Sequence, residues 1–292
     1  MSFAAGVSEA ISNATGQMFH ASYAHAVSGG DIHAASVLRD GAQRFFVKAN
    51  RADSLPMFEA EAAALAALAA SCTVRIPHVI CTGCAADQAF LVLEYLDLHP
   101  QGDAARLGEQ LAALHRMPQP RFGWTHDNWI GSTPQPNPWA DDWIMFWRDQ
   151  RLGFQLERAA RKGYGSALQR DGDVLRAHLA DFFAGYRPQP SLLHGDLWGG
   201  NHGYLKNGTP VIFDPASYVG DRECDLAMTE LFGGYAPDVM AAYRAAWPPD
   251  AGYSVRKALY NLYHILNHAN LFGGSYVAQA TRMSAALLAH VR

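Results

Sequence analysis

The chain up to about residue 97 alternates apolar and polar positions in a way that predicts a small β-sheet with accompanying helices. Strands are predicted at 18–27, 32–38, 44–49 and 90–95, and helices at 8–15 and 54–70. Gly29 and Gly30 separate the first two strands and predict a tight turn, so these strands should form a hairpin. Ser54 and Pro56 are typical of a helix start and mark the beginning of the second helix.

Beyond a linker at 97–103, apolar residues recur at helical spacing. Asp103 can cap a helix that has Leu107 and Leu111 on one face and ends near His115, which we expect to be a core or helix-end histidine. Further helices are predicted at about 140–161, with aromatic residues in the core, and within 237–292. The fold class is therefore α+β with two lobes: a small N-terminal β-sheet lobe with a helix at 1–97, and a larger, mostly helical C-terminal lobe at 98–292.

Composition narrows the range of partners and compartments. The 292 residues are 49% hydrophobic, enough for one large domain or for two lobes with real cores. The formal charge of -4 without long charged runs argues against nucleic acid or a membrane surface as a partner. No stretch has the apolar length of a membrane span or the features of a signal peptide, so we expect a cytoplasmic protein, monomeric or weakly dimeric.

The four cysteines are too few and too scattered for a disulfide framework. Cys81 and Cys84 form a CxxC motif, but a structural zinc site needs two further ligands at matching spacing. We interpret the motif as a coincidence in a loop.

The candidate chemistry is concentrated between Leu192 and Asp225. Asp196 and Asn201 are separated by four residues, and the apolar run Val211–Phe213 leads into Asp214. Phosphoryl transfer requires a carboxylate to orient the attacking hydroxyl and oxygen ligands for magnesium, and protein kinases place these groups at this spacing. Asp196 is therefore a candidate base, and Asn201 and Asp214 are candidate ligands of Mg²⁺.

Two departures distinguish this stretch from the protein-kinase pattern. Gly195 replaces the arginine of that pattern, and Pro215 follows Asp214 where protein kinases have Phe and Gly. Both departures point away from protein kinases and favour a kinase of small molecules. Nearby, Asp221 and Asp225 could support the catalytic loop through hydrogen bonds, or could simply be acids at a helix start.

The N-terminal lobe offers matching groups for ATP. Lys48 lies in an apolar strand, where a charge is costly unless paired, and Glu61 of the following helix is the preferred partner, with Glu59 as a solvated acid. Gly29 and Gly30 would let backbone amides approach the phosphates. The backbone near Glu94 and Leu96, at the end of the predicted 90–95 strand, would bind the adenine.

The segment 122–137 is rich in Trp, Asn, Gly and Pro, a composition that predicts a loop, and loops often carry binding residues. Aromatic rings beside amides suit sugar recognition through stacking and directed hydrogen bonds. A plug that covers the core of the C-terminal lobe explains the same composition, and both interpretations stay open.

Six strings carry a resemblance to the fructosamine kinase family, also called ketosamine-3-kinases, which are relatives of the aminoglycoside phosphotransferases. They are VSGGDI at 27–32, FFVKAN at 45–50, MFEAEAAAL at 57–65, DNWIGSTPQPN at 127–137, HGDLWGGN at 194–201 and FDPASYVGDRECDLAMTELFGG at 213–234. The resemblance spans nearly the whole chain and implies the two-lobed, protein-kinase-like fold of these families. It implies ATP-dependent phosphorylation of the 3-hydroxyl of a ketoamine-linked sugar, such as fructosyl-lysine or ribulosyl-lysine, and thus a deglycation repair activity.

The same resemblance implies Asp196 as base, Asn201 and Asp214 as magnesium ligands, and Lys48 with Glu61 as the phosphate-holding pair. It also makes Asn128, Trp129 and Trp198 candidates for the sugar site. Some family members have a cysteine in the glycine hairpin where this chain has Asp31, so redox control through that position is not expected here.

Two other functions are compatible with parts of the pattern. One is a phosphotransferase for an aminoglycoside or a choline-like acceptor, although such cationic acceptors usually meet many acids and 122–137 contains only Asp127. The other is a catalytically inactive binding module of the same fold, against which stands the presence of every catalytic residue type.

Overall fold

The computed structural model describes residues 2–27 and 32–291, which form two compact units. Unit 1 takes in the chain up to Asp103 together with His202–Pro215, and unit 2 takes in Ala104–Asn201 with the chain from Ala216 onward. The predicted division into 1–97 and 98–292 did not include the return of 202–215 to the first unit. None of the helices in the described part combines the length and apolar character needed to cross a membrane.

Unit 1 is built on an antiparallel five-stranded sheet with the order β1-β2-β3-β5-β4. Its elements up to residue 103 are α1 (Phe3–Thr15), β1 (Tyr23–Val27), β2 (Ala34–Asp40), β3 (Gln43–Arg51), α2 (Leu55–Ala70), β4 (Val79–Ala85) and β5 (Gln88–Glu94). Val7 and Ile11 of α1 are buried in one cluster with Val47 of β3 and Val92 of β5. This packing fixes β3, the strand that carries Lys48, in the middle of the sheet.

Three local predictions in unit 1 were wrong or incomplete. The CxxC residues lie on strand β4 instead of a loop, with Cys81 half-buried and Cys84 exposed, and burial raises the pKa of the Cys81 thiol to about 11. Helix α1 begins at Phe3, well before the predicted start, because the Ser2 side chain accepts a hydrogen bond from the Ala5 amide and caps it. Ser54 precedes α2 as predicted, but its side chain makes no capping hydrogen bond.

Unit 2 is mostly helical. Its elements are α3 (Ala104–His115), β6 (Asn128–Ile130), β7 (Thr133–Gln135), α4 (Trp143–Phe146), α5 (Phe154–Arg161), α6 (Ser166–Ala177), β8 (Pro190–Leu192), β11 (Val219–Asp221), α7 (Glu223–Leu231), α8 (Pro237–Ala246), α9 (Tyr253–Phe272) and α10 (Ser275–Leu287). Two further strands, β9 (His202–Tyr204) and β10 (Pro210–Ile212), lie between β8 and β11 in the sequence but belong to unit 1. The fold is α+β, as predicted.

The core of unit 2 surrounds α9, whose Tyr260 and Tyr263 pack against Trp143 and Trp147. This confirms the prediction that the aromatic residues of 140–161 are core residues. The segment is not one regular helix, however, because a π-helical stretch at Trp147–Gly153 joins α4 to α5. The segment 122–137, expected to be a loop, contains the short antiparallel hairpin β6–β7.

Candidate active site

The loop that carries Asp196 is held in place by the carboxylate of Asp225, which belongs to the same unit. Asp225, in the first turn of α7, accepts hydrogen bonds from the backbone amides of His194 at 2.7 Å and Gly195 at 2.9 Å. His115, at the end of α3, lies 3.1 Å from the same carboxylate and is almost fully buried. The predicted support of the loop by Asp225 is therefore confirmed, and His115 is a core histidine as expected.

The ionised state of Asp225 follows from these contacts. Burial alone would raise the pKa of its carboxyl, but the hydrogen bonds and charges of His115, His194 and Gly195 outweigh burial and hold the pKa below its usual value. Asp221 instead accepts from the hydroxyls of Tyr260 at 2.6 Å and Tyr186 at 2.9 Å. It thus fixes β11, the strand that pairs with β8 just before the catalytic loop.

Gly195 occupies a place that no other residue fits. Its φ is 84°, in the left-handed region, and a Cβ added there would lie 2.1 Å from the carbonyl oxygen of Ala216. The segment after Asp214 is thereby packed directly against the catalytic loop, and the Ala216 amide donates to the His194 carbonyl at 2.9 Å. The replacement of the protein-kinase arginine by glycine follows from this close approach.

Asp196 and Asn201 are joined within one loop. The Asn201 side-chain nitrogen donates to the backbone oxygen of Asp196 at 2.9 Å and to its carboxylate at 3.2 Å. Because the nitrogen is used in this way, the amide oxygen of Asn201 is the atom with the right chemistry for a metal ligand. Asp196 itself is half-buried, which suits a base that must both meet a substrate and be held in place.

Trp198 lies between these two residues and is 39% exposed. Its ring covers Gly200, where an added Cβ would lie 2.2 Å from the ring, and it meets Phe232 edge-on at 6.5 Å between centroids. The ring therefore packs on its own loop and also presents a surface to solvent.

In unit 1, Lys48 and Glu61 form the pair that the sequence predicts. The Lys48 ammonium lies 2.7 Å from Glu61 Oε1, contacts the Asp214 carboxylate as well, and is only 6% exposed. Burial alone would lower the pKa of Lys48, but the charges of Asp214 and Glu61 raise it, so the ammonium stays charged. Burial raises the pKa of Glu61 to about 7, against the effect of Lys48.

Asp214 follows β10 and has a φ of 58°. A left-handed backbone is unusual for a residue other than glycine, although Asp tolerates it better than most, and such strain is concentrated at functional sites. The carboxylate is thus held in place by a sharp turn after a buried strand.

The fructosamine kinase family model matches residues 3–290. The chain belongs to the fructosamine kinase family. A Synechocystis relative named as a probable ketoamine kinase is 47% identical over 280 residues, covering 95% of this chain and 94% of the relative. The crystal structure of a candidate fructosamine-3-kinase from Haemophilus somnus matches with a TM-score of 0.89 and 30% identity, covering 97% of this chain and 96% of that one.

An ADP-bound aminoglycoside phosphotransferase shares the fold, with a TM-score of 0.64, 12% identity and coverage of 95% of this chain and 98% of that one. The predicted family and protein-kinase-like fold are confirmed. As a fructosamine kinase, the chain is a phosphotransferase that acts on a hydroxyl group of a ketosamine, and the kinase family supports the predicted use of ATP. An aminoglycoside or choline-type kinase and an inactive binding module are not favoured.

His33 is a residue of this fructosamine kinase that the sequence analysis did not single out. Its Nδ1 accepts from the Asn50 side-chain nitrogen at 2.9 Å, and its ring packs against Phe58. Burial, with the charge of Lys48, lowers the pKa of His33 to about 4, so the ring stays neutral beside the Lys48 group. Its only sequence signal was its place at the start of the predicted 32–38 strand, three residues after Gly30.

Asn128 is 4% exposed, and its amide bonds within unit 2. Its nitrogen donates to the Ser217 carbonyl at 2.8 Å, and its oxygen accepts from Gln135 and Asn137, each at 2.9 Å. Gln135 also donates to the Ala216 carbonyl at 3.2 Å. The β6–β7 hairpin therefore holds the segment that lies against Gly195, whichever residues meet the sugar.

Arg151, from the π-helical stretch, anchors the same hairpin. Its guanidinium is fully buried, donates to the Pro136 carbonyl at 2.7 Å and to Asn137 Oδ1 at 2.6 Å, and stacks over Tyr218 at 4.1 Å. Sequence reasoning missed this residue, because a lone arginine in a helical pattern reads as a solvated one.

The remaining predicted site residues are those for adenine, the sugar and the glycine hairpin. Glu94 is the last residue of β5; its backbone amide donates to the His78 carbonyl at 2.9 Å, and its carboxylate pairs with Arg75 at 2.5 Å. Binding of adenine by the backbone near Glu94 and Leu96 stays a prediction. Trp129 is half-buried in β6 and its sugar contact also stays a prediction. Gly29, Gly30 and Asp31 lie outside the described residues.

Proposed function

We propose that this chain transfers the γ-phosphoryl group of ATP to the 3-hydroxyl of a ketosamine, such as a fructosamine or ribulosamine adduct of lysine, and so acts in repair of glycated amines. The observation that carries the assignment of roles is the bond network of the catalytic loop, in which Asn201 donates to both the backbone and the carboxylate of Asp196. This network supports the proposed roles, because it holds a carboxylate and a side-chain amide next to each other on one loop, the two groups that a phosphoryl-transfer site uses.

Asp196 is the base in this proposal. Its carboxylate accepts the proton of the 3-hydroxyl as that oxygen attacks the γ-phosphorus, while the bond from the γ-phosphorus to ADP breaks. Support for this role comes from the backbone behind Asp196, since Asp225 holds the amides of His194 and Gly195. A carboxylate fixed in this way keeps its orientation without reorganisation during the reaction.

Lys48 is the cation that holds the nucleotide phosphates, and Glu61 orients it. The buried ammonium between two carboxylates supports this role, because Lys48 can exchange Asp214 for phosphate oxygens while Glu61 keeps it in position. The backbone near Glu94 and Leu96 would bind the adenine, and Gly29 and Gly30 would cover the phosphates.

The residues fit a magnesium ion. Asn201 and Asp214 can offer oxygen ligands, the donors that Mg²⁺ prefers. This sparse set suits Mg²⁺, which is usually bound by one or two carboxylates together with substrate phosphates. When bound, the ion neutralises charge on the phosphates during transfer.

Trp198 and Trp129 are the proposed sugar contacts, and the exposure of Trp198 supports its part. Asn128 was predicted beside them. Its buried amide, bonded to Ser217, Gln135 and Asn137, supports a role in holding the sugar site rather than in touching the sugar.

The test is an acceptor screen. ADP release is measured with fructosyl-lysine, ribulosyl-lysine, free fructose and an aminoglycoside, and the phosphorylated carbon of the product is located by NMR. We expect turnover with the two ketosamines and phosphate on C3. Turnover confined to the aminoglycoside, or phosphate on another carbon, would contradict the proposal.

A further inference from the structure

The sequence Leu-Phe-Gly-Gly occurs twice, at 231–234 and at 271–274. Each copy ends a helix of unit 2: α7 ends at Leu231 and α9 at Phe272. All four glycines have positive φ, between 58° and 97°, a backbone that terminates a helix and that side chains rarely allow. The two copies thus produce two similar helix ends, each with a phenylalanine at the point where the helix stops.

Both phenylalanines are unusually exposed, Phe232 at 40% and Phe272 at 51%. They are joined by the His268 ring, whose centroid is 5.0 Å from that of Phe232 and 5.6 Å from that of Phe272. Tyr276 of α10 completes the group, 5.0 Å from His268. We name these four residues, Phe232, His268, Phe272 and Tyr276, the aromatic platform.

The aromatic platform is continuous with the catalytic loop. Phe232 meets Trp198, two residues after Asp196 in the chain. The backbones also touch, because a Cβ added to Gly199 would lie 2.5 Å from the Gly233 carbonyl oxygen. The platform therefore extends away from the base through a series of neighbouring rings within one unit.

His268 gives the platform a hydrogen-bond acceptor. Its Nδ1 lies 2.8 Å from the His264 carbonyl oxygen, which can only accept, so Nδ1 carries the ring proton. In the neutral ring Nε2 is then an acceptor, on an imidazole that neighbours the rings of Phe232, Phe272 and Tyr276. Aromatic faces attract cations, and an acceptor beside them suits an ammonium N–H.

We propose that the aromatic platform binds the amine-bearing part of the ketosamine, namely its secondary ammonium and the aliphatic chain of the lysine attached to it. This inference rests on the proposed function and names the part of the acceptor that the catalytic groups do not touch. Sugar hydroxyls need several directed hydrogen bonds, whereas the platform offers mainly ring faces, which fit methylene groups and a cation. The platform meets the catalytic loop at Trp198, two residues after Asp196, where a group attached to the sugar could reach it.

The test compares steady-state kinetics of Phe272→Ala and Phe272→Leu with wild type, at saturating ATP, using fructosyl-lysine and the shorter adduct of fructose with methylamine. Loss of the ring should raise KM for fructosyl-lysine roughly three- to tenfold, the size of one cation–π contact with its apolar area, while kcat stays unchanged. The methylamine adduct should be affected less, because it lacks the aliphatic chain. Leucine should restore part of the loss for the long adduct, since it keeps apolar area without a π face.

Met145→Ala is the matched control, because Met145 is an apolar residue of unit 2 with 46% exposure that is not part of the platform. Its KM values should equal those of wild type. If the wild type phosphorylates fructosyl-lysine but Phe272→Ala leaves its KM unchanged, or changes both adducts equally, the platform proposal is overturned. If the wild type does not phosphorylate either adduct, the proposed function fails first and the platform proposal with it.

Discussion

At Gly195 and Asp214, the backbone is left-handed next to the chemically important groups, with φ of 84° and 58°. The two positions differ in what restricts them. Position 195 must be glycine because a Cβ there would lie 2.1 Å from the Ala216 carbonyl oxygen. Position 214 instead carries a side chain despite its positive φ, because its carboxylate is part of the candidate site. Sequence alone identified Asp214 by its spacing, but it gave no physical reason for Gly195.

Gly195→Ala should therefore damage both stability and turnover. The new Cβ cannot coexist with the Ala216 carbonyl, so the loop must move away from Asp225. We expect a loss of free energy of unfolding above the roughly 1–2 kcal/mol of left-handed strain alone, with strongly reduced turnover. Denaturant unfolding and steady-state kinetics measure both effects.

Gly185→Ala separates strain from crowding. Gly185 has a φ of 79° with open space where a Cβ would be, so this variant should lose only the strain energy and keep full turnover. Equal stability and turnover in the two variants would show that the close approach at Gly195 does not matter.

At the scale of elements, the sequence predicted those with a clear period or spacing. The β1–β2 and β3 strands, helix α2 and the Asp196–Asn201 loop were found because apolar alternation, a proline at a helix start and a fixed interval are local signals. Strand β4 was missed, since VICTGCA has no regular alternation and forms a strand by pairing with β5. The β6–β7 strands have three residues each, too short for a period to appear.

The π-helical stretch was equally invisible, although it aims Arg151 into the core of unit 2. Among the described residues, Arg151 forms no salt bridge. Its charge is stabilised by hydrogen bonds to carbonyl and amide oxygens and by the aromatic faces of Phe146 and Tyr218. Such an arrangement depends on residues far apart in the chain, so no local pattern could have predicted it.

Arg151→Met should destabilise the β6–β7 hairpin, because the Pro136 and Asn137 oxygens lose their donor in a buried place. We expect a loss of about 2–3 kcal/mol in the free energy of unfolding, the usual penalty for buried polar groups left without partners. Arg151→Lys keeps the charge but loses the planar donor pair and stacking, and should recover only a part of this loss. Urea unfolding measures the free energy of unfolding of both variants. If Arg151→Met is as stable as wild type, the arginine does not stabilise the hairpin.

For the whole molecule, the residues with proposed catalytic and binding roles are distributed over both units. Unit 1 carries the Lys48 group with Asp214, and unit 2 carries the Asp196 loop, its Asp225 anchor and the aromatic platform. The family and fold class followed from the sequence because their motifs are long and specific. The sugar contacts did not, since composition at 122–137 could not separate binding residues from packing ones. The predicted cytoplasmic location, oligomeric state and lack of nucleic-acid or membrane partners stay predictions.

Stability against acid is a property of the whole molecule to which one buried histidine contributes. Burial, with His268 as the next cause, lowers the pKa of His264 to about 3, against 6.5 in an unfolded chain. Below pH 6.5 the unfolded chain takes up a proton that the folded one refuses, so stability falls as the pH drops towards 3. Between pH 7.5 and 5 this amounts to about 2 kcal/mol.

His264→Gln should abolish that contribution. The free energy of unfolding of wild type relative to the variant should be about 2 kcal/mol lower at pH 5 than at pH 7.5, whatever the variant costs at neutral pH. Glu61 and Glu223, with pKa values raised to about 7 by burial, act in the opposite direction but are common to both proteins and cancel. A difference in stability between wild type and His264→Gln that is the same at both pH values would contradict this contribution.

The central claim is that Asp196 is the base of a ketosamine kinase, and turnover of fructosyl-lysine by Asp196→Asn at saturating ATP tests it most directly. The amide has the shape of the carboxylate but cannot accept the proton, so kcat should fall by about two to four orders of magnitude. Calorimetry should show wild-type affinity for magnesium–ATP, which separates a lost base from a misfolded loop. Wild-type turnover of fructosyl-lysine by Asp196→Asn would contradict the account.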